Sequence, residues 1–469
     1  MNIPKSNFSD WYNEVIYSAG IVDIRYPVKG MPIYTSWGFG AIRKSFAILE
    51  ELLEQTGHGQ MLFPLLVPED LFGAEGEHIK GFGGEVLWVT QGGNETLERK
   101  LAVRPTSETI MYPMFAQWIR AHTDFPLKVH QTVTIYRHET KATKPLVRGR
   151  EVYWNEAHSA FRNEKEAEES IREGLQIYSE FYATLALPFT ALVRPDYDKF
   201  PGAKYSIAFD ILMPDGKVLQ AATIHNLADN FAKVYSIQYD DEKGEKHYAH
   251  QTTFGLSMRC LAAAIGVHGD DKGLILPPAI SPIQAIIIPI PGKEEKESAA
   301  VDAKAKEVKA KLEGAGIRVH LDCSEKRPGE KYYHWEMKGV PLRIEIGPRD
   351  IANKKVMLAL RTGGKKPIDE SKLVEATRDA FAEILKTLEE KAKKELEGKI
   401  SKAKSMDDLK KGTGIFTAGW CENQKCADEV KTETGGVEVR GFLFDKKKEK
   451  AKCVKCGKDG TLAYWAKAY

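Results

Sequence analysis

Gln131–Phe161 reads QTVTIYRHETKATKPLVRGREVYWNEAHSAF. Val133–Tyr136 has the β-branched and aromatic composition of a strand, and Glu151–Trp154 reads as a second strand. A basic, proline-containing loop, Lys141–Arg150, lies between them. Alternate strand residues point the same way, so such a hairpin holds Arg137 and Glu139 on one face. One cation and one anion then sit side by side under a loop carrying Lys141, Lys144, Arg148 and Arg150. That set suits a nucleotide: guanidinium for phosphate, carboxylate for an exocyclic amine, and a cationic loop for the rest of the phosphate chain. Arg-x-Glu by itself also fits an ordinary salt-bridged surface hairpin, the commoner case, so the remaining segments must decide.

Upstream, Phe8–Ala19 carries Trp11, Val15 and Ile16 at helical spacing. Phe39–Gln55 repeats apolar residues at Phe39, Ile42, Phe46, Leu49 and Leu53, which predicts a long helix with one buried stripe. It leads into Met61–Phe72, read as a strand containing Pro64, or in purely structural terms an edge strand ending there. In Gly81–Thr90, a glycine-rich turn and strand, a loop holding Phe82 could close over a small substrate. Leu101–Phe115 delivers Arg-Pro-Thr-Ser-Glu, where Thr106 and Glu108 offer a hydroxyl and a carboxylate to a protonated amine. The same letters form helix N-caps, and Thr106–Thr109 is expected to cap the helix Ile110–Ala121 as well.

Downstream, Asn163–Leu185 predicts a helix, and Tyr205–Leu212 and Val218–Thr223 predict strands, with His225 just after the second. Strict alternation would place Gln220 and Ala222 on one side of that strand and Ala221 and Thr223 on the other. The strand His250–Leu256 feeds, through Gly255, a helix with Arg259 in its first turn. A cation there gains nothing from the helix dipole, so a docked anion is one reading. An ion pair with a neighbouring acid is the other.

After Pro277 and Pro278 a new unit begins with the apolar strand Ile283–Ile290. The helix Ala299–Glu313, the strand Ile317–Leu321, a helix near Lys331–Met337 and strands at Leu342–Ile346 and Val356–Arg361 follow. This alternation predicts a small, mainly parallel α/β unit. Lys372–Lys411 predicts one or two helices with a solvated Lys/Glu face. The last segment carries Cys421-x4-Cys426 and Cys453-x2-Cys456. Four thiolates on two short knuckles match a tetrahedral structural zinc site, with disulfides the alternative in an oxidising compartment. Cys260 and Cys323 are expected to be buried neutral thiols.

A chain of 469 residues should split into two or three domains, and 42% hydrophobic with 29% charged residues is ordinary for a globular protein. No apolar run is long enough to cross a bilayer and the start lacks a signal-peptide core, so a cytoplasmic protein is expected. A net charge of +2 leaves any RNA binding to local basic patches.

In order and spacing these segments resemble the class II aminoacyl-tRNA synthetases, specifically the prolyl-tRNA synthetases of the compact archaeal and eukaryotic-like type. The resemblance runs over essentially the whole chain. Arg137-x-Glu139 with its loop and returning strand is similar to motif 2, and the strand, turn and helix around Arg259 to motif 3. The helix before Pro64 is similar to motif 1, which implies a homodimer. Leu101–Phe115, Gly216–Phe231 and His250–Pro278 carry the closer likeness.

The resemblance implies an α/β protein whose α+β catalytic domain, residues 1–280, is an antiparallel sheet flanked by helices. A small α/β anticodon-binding domain (281–370), a helical connector (371–411) and a zinc-containing C-terminal α/β domain (412–469) complete it. The implied activity is ATP-dependent attachment of L-proline to tRNA(Pro) through prolyl-adenylate, with Mg²⁺ accompanying ATP and a structural Zn²⁺. Arg137 and Arg259 would be catalytic, and Arg137, Glu139, Arg148, Gly149, Gln220, Thr223, Ser257 and Arg259 would bind ATP. Thr106, Glu108 and Arg137 would hold proline, with Phe82, Trp154, His158, Phe209 and His225 lining its ring pocket. Arg327, Glu336, Arg343, Arg349 and Asp350 would read the anticodon, and Tyr332, Tyr333 and Trp335 are available for stacking or for the core.

Ala221 and Ala222 stand where relatives are usually glycine-rich, which narrows the pocket. Phe161–His250 leaves no room for an inserted editing domain, and Tyr469 matches a C-terminal tyrosine that folds back towards the active site. A relative specific for another amino acid, such as threonine, and an inactive synthetase-like RNA-binding or regulatory protein are the alternatives.

Overall fold

Strands Leu127–Tyr136 and Glu151–Phe161 pair antiparallel along their whole length, from Leu127 opposite Ala160 to Tyr136 opposite Glu151. This computed structural model describes residues 2–73, 84–139 and 141–469. Both strands exceed the predicted Val133–Tyr136 and Glu151–Trp154 because their other halves carry His130, Gln131, Asn155, Glu156 and His158. All five are buried. Polar side chains at buried positions hide a strand from any apolar pattern; here several find partners, as where Asn155 Nδ2 donates to Thr132 Oγ1 at 2.9 Å and Gln131 Nε2 to Glu156 at 2.8 Å, while His130 Nε2 has none.

The first strand ends at Tyr136, so Arg137 and Glu139 lie just beyond it and are not alternate strand residues. The Arg137 amide donates to the Arg150 carbonyl at 2.8 Å and the Glu139 amide to the Arg137 carbonyl at 2.7 Å, which turns the chain out of the ladder.

The hairpin joins a sheet that, among the described residues, has twelve strands. From one edge the order is Ile400–Lys402, Ile415–Trp420, Asp459–Lys467, Val437–Leu443, Thr190–Val193, Tyr205–Leu212, Val218–Ala228, His250–Ser257, Glu151–Phe161, Leu127–Tyr136 and Gly59–Gln60, with Lys450–Lys452 beside Asp459–Lys467. Helices Ser36–Gln55, Glu164–Thr184 and Arg259–His268 bury one face. Phe46, Leu49, Tyr178, Phe181, Phe209, Phe254, Leu261 and Ile265 belong to the core there. The opposite face stays open over the central strands and holds the site.

The prediction for Met61–Phe72 is corrected: Pro64 lies outside regular structure, Leu66–Pro68 is a short strand and Glu69–Gly73 a helical turn. The unit from 285 to 369 is mixed, not mainly parallel. Ala285–Pro289 pairs parallel with Val319–Leu321 and Leu342–Ile346, while Lys355–Leu360 and Lys365–Asp369 add two antiparallel ladders. The latter two strands form a hairpin through Gly363 and Gly364, both at positive φ, which returns the chain without a crossover helix. In the connector, helix Leu373–Gly398 is separated from helix Met406–Lys411 by the strand Ile400–Lys402.

The C-terminal strands do not make a sheet of their own. Phe442 and Leu443 pair with Val193 and Leu192, so they extend the central sheet. Gly441 permits this: its φ is +121°, and a Cβ there would stand 2.0 Å from the Val193 carbonyl oxygen.

Candidate active site

The open face of the central strands carries a cavity of about 350 Å³ lined by Thr106, Glu108, Arg137, Glu139, Arg148, Trp154, Gln220, Thr223, His225 and Arg259, among others. At one end are buried carboxylates. Thr106 Oγ1 donates to Glu108 Oε2 at 2.5 Å in the first turn of helix Glu108–Trp118. Ser107, at the N-cap position, makes no side-chain cap, because its hydroxyl donates to Glu156. Gln131 Nε2 donates to the same Glu156 oxygen at 2.8 Å, and His158 Nε2 lies 3.3 Å from the other. Burial would push the Glu156 carboxyl up, but His158, Ser107 and Gln131 outweigh it and hold it below the usual range. Burial likewise acts to lower the His158 imidazole, and Glu156 reverses the sign.

Three arginines occupy the other part of the cavity. The Arg137 Nε donates to the Pro105 carbonyl at 3.3 Å, and its guanidinium lies 5.6 Å from the Trp154 ring centre. Burial pulls the Arg137 guanidinium down, and Glu85, Glu139, Glu108 and Glu156 act against it. Arg259 Nε donates to the Val147 carbonyl at 2.8 Å and Nη1 to the Gln220 carbonyl at 3.1 Å. Among the described residues it forms no ion pair, and Glu139 acts on it only from a distance. Burial first, then the charge of Arg137, holds its guanidinium down at about 10. Arg259 is partly exposed to this cavity, and a second guanidinium so close makes the position favourable for an anion. Arg148 and Glu139 form an ion pair with each other at the cavity rim.

A β-bulge corrects the reading of Val218–Thr223, a strand that runs on to Ala228. Ala222 pairs with Phe209 and Gln220 with Asp210, so Ala221 is the extra residue. The bulge breaks alternation and brings Gln220 and Thr223 to the same face, where both line the cavity with His225, now inside the strand. His225 Nδ1 lies 2.7 Å from Ser206 Oγ, and its ring stacks 4.7 Å from that of Phe200. Burial lowers this imidazole to about 3, so it is a neutral, flat wall. Gly149 and Ser257 also line the cavity.

Two ring-pocket expectations are corrected. Ser206 and Ala208 face the cavity, so Phe209 faces the other way by strand alternation, 5.2 Å from Tyr178 in the core. His158 sits behind the wall, its Nδ1 3.0 Å from the Tyr112 hydroxyl. Phe82 lies outside the described residues. In the basic loop Arg148 lines the cavity, whereas Lys144 turns away, its Nζ 4.7 Å from the Tyr12 ring centre. Tyr469 packs beside it and donates its amide to the Val218 carbonyl at 3.2 Å, two residues before Gln220.

Sequence reasoning missed Phe200, Glu156, Arg194, Ser206 and Thr253. Phe200 sits in an irregular segment with no periodicity, Ser206 and Thr253 read as ordinary strand polar residues, and Glu156 and Arg194 lie outside the strand spans read from the sequence.

Elsewhere, the sulfurs of Cys421, Cys426, Cys453 and Cys456 lie within 4.8 Å of one another, with Cys421 and Cys456 3.8 Å apart. A tetrahedron of Zn–S bonds of about 2.3 Å has edges of about 3.8 Å, so the donor set fits that ion. Cys260 is buried and its thiol pushed up to about 12 by burial, but Cys323 is exposed, contrary to expectation.

Of the anticodon candidates, Arg327 and Arg349 are exposed, while Glu336 and Arg343 pair at 3.2 Å. Asp350 accepts from the Gly347 amide at 2.9 Å and holds a helix start. Tyr332 lies under the Arg343 guanidinium, Tyr333 is exposed, and Trp335 donates to Asp322 from the core edge at 2.8 Å.

Residues 88–268 match the family described as tRNA synthetase class II core domain (G, H, P, S and T), 284–388 match Anticodon binding domain, and 404–469 match Prolyl-tRNA synthetase, C-terminal. The proline–tRNA ligase of Methanosarcina mazei is 48% identical over 99% of this chain and 98% of the relative. That of Thermoplasma volcanium is 45% identical over 100% of both. The solved prolyl-tRNA synthetase of Giardia lamblia in complex with prolyl-adenylate superposes with a TM-score of 0.95, at 36% identity over 99% of each chain. With the cavity's carboxylate and guanidinium poles in place and full-length similarity of this degree, the chain belongs to the prolyl-tRNA synthetase family, the proline–tRNA ligases of class II.

Proposed function

We propose that the cavity activates L-proline with ATP and Mg²⁺ and then charges tRNA(Pro). A proline carboxylate oxygen attacks the α-phosphorus, the bond to pyrophosphate breaks, and prolyl-adenylate forms. The terminal ribose hydroxyl of the tRNA then attacks the acyl carbon and AMP leaves. Positioning and charge stabilisation carry most of the acceleration. The observation that supports this best is Arg137, which lines one cavity together with Thr106, Glu108 and Glu156 and with the second guanidinium of Arg259. It is therefore assigned the α-phosphate and the proline carboxylate, Arg259 the γ-phosphate and Arg148 the outer phosphates. Glu139 is assigned adenine, and Gln220 and Thr223, with Gly149 and Ser257 beside them, the nucleotide and its Mg²⁺. Thr106 and Glu108 take the proline nitrogen, and Trp154, His225 and Phe200 the ring.

Purified protein is expected to catalyse ATP–pyrophosphate exchange with proline above all other amino acids. Exchange chiefly with another amino acid, or with none, would overturn the assignment. The segment between Phe161 and His250 is built into the sheet and its helix, which supports a protein without an editing domain in cis. Ala-tRNA(Pro) should accordingly persist in its presence, and rapid deacylation by the purified protein would contradict this.

A homodimer is proposed on Leu62, 83% exposed, with Met61, Leu65, Leu66 and Trp118 forming an apolar surface around Pro64. A monomer in sedimentation at micromolar concentration would refute it. Among the described residues no helix is long and apolar enough to cross a membrane, and we place the protein in the cytoplasm. Exposed Arg327 and Arg349, with Tyr333 also at the surface, are proposed to meet anticodon bases.

The four cysteines are proposed to hold a structural Zn²⁺ with no coordination position left for substrate. One zinc per chain is expected by elemental analysis. Cys453→Ser should lose it and expose the strand Ile415–Trp420 to amide exchange; full protection without metal would exclude the site.

A further inference from the structure

We infer that Arg440, from the C-terminal region, is a positioning residue for the nucleotide site, acting through Asp210 and Arg194 on Gln220. Asp210 stands opposite Gln220 in the β-ladder and is fully buried. Arg440 donates to it from Nε at 2.8 Å and from Nη2 at 2.9 Å. Arg194 donates to it from Nη1 at 3.1 Å and from Nη2 at 2.7 Å, and Nη1 also reaches the Arg440 carbonyl at 2.7 Å. The same Arg194 Nη2 donates to Gln220 Oε1 at 2.9 Å.

That last contact settles the orientation of the amide. A guanidinium is only a donor, so it must meet the carbonyl oxygen of Gln220, and the NH₂ group is left for the cavity. Gln220 thus presents a donor to an oxygen of the nucleotide. Glu438 Oε1 accepts from Arg440 Nη1 at 2.5 Å, Lys431 pairs with Glu438 at 2.6 Å and Asp198 with Arg194 at 3.8 Å, so three cations face three carboxylates and the network is neutral on its own. It therefore needs no phosphate, and Arg194 serves as an anchor for the amide. Gly441 makes the approach possible, since any side chain there would collide with Val193 beside Arg194.

The inference rests on the proposed reading of Gln220 as a nucleotide contact, and one experiment separates the two. Steady-state exchange is measured with Arg440→Lys, Gln220→Ala and the double variant, with KM for ATP and for proline determined separately. Lysine keeps the charge but loses the two-pronged grip on Asp210. Each single change should raise KM for ATP about fivefold, leave KM for proline within about twofold, and the double variant should match Gln220→Ala alone. A merely structural role would move both KM values or neither. If Gln220→Ala raises KM for ATP and Arg440→Lys does not, or if their effects multiply, the relay is overturned and the nucleotide reading stands. If Gln220→Ala leaves KM for ATP unchanged, both fall. Should Arg440→Lys fail to fold, Glu438→Gln at the half-exposed end takes its place, with about a threefold rise expected and no rise overturning the relay.

Discussion

Arg137→Ala is expected to lower proline-dependent ATP–pyrophosphate exchange by about 1,000-fold while the protein stays folded. The size follows from where the group sits. Its guanidinium lines the cavity, steadied by the Pro105 carbonyl and the Trp154 ring, so under the proposed assignment it would need little reorganisation as charge develops at the α-phosphate. Arg137→Lys should recover little of the loss, because a point charge on a flexible stem reproduces neither the planar fork nor the stacking on Trp154. The fall should appear in kcat more than in KM for ATP, since Arg259 and Arg148, the proposed phosphate ligands, are left in place. Exchange within about tenfold of the unmodified protein, with circular dichroism unchanged, would remove Arg137 from the reaction.

Asp210→Asn carries the largest expected effect on stability. The carboxylate is the meeting point of Arg194 and Arg440, and an amide cannot neutralise either. Leaving buried guanidinium charge uncompensated should cost about 3–5 kcal/mol. In a unit of this size that corresponds to a drop of at least about 6 °C in the thermal midpoint of the catalytic sheet.

The pH dependence has a definite sign. Burial would raise the Asp210 carboxyl, but the two arginines outweigh it and hold it down at about 2. A depressed carboxylate contributes stability above its unfolded value, and that contribution fades as pH falls from about 4 towards 2. The unmodified protein should therefore lose stability across that window, and Asp210→Asn should lose less. A variant with an unchanged midpoint would mean that the network is idle.

The chemistry-bearing groups were legible in the chain to an uneven degree. Arg137, Glu139 and Arg259 drew notice through short motifs that by themselves also fitted ordinary ion pairs, and all three line the cavity. The four cysteines announced themselves by spacing alone, and their sulfurs do converge. The long helices were visible from apolar periodicity, and Ser36–Gln55, Glu164–Thr184 and Glu295–Gly314 fall close to the predicted spans. Phe209 misled because strand composition tells that a residue is in a strand but not which face it takes. Phe200 was invisible because an irregular segment has no period to read.

By itself the sequence determined the order of the motifs, the helical stripes, the knuckle spacing and the charge types offered to a ligand. These are properties of neighbours along the chain, set by side-chain chemistry and by the 3.6- and 2-residue repeats. Only the tertiary structure decided that Ala221 is a bulge, that Gln220 and Thr223 therefore share a face, and that the C-terminal strands extend the catalytic sheet. The same holds for the meeting of Asp210 with Arg440, 230 residues away in sequence. Such features depend on register between distant strands and on which buried charges find partners when the sheets close. No local repeat carries that information.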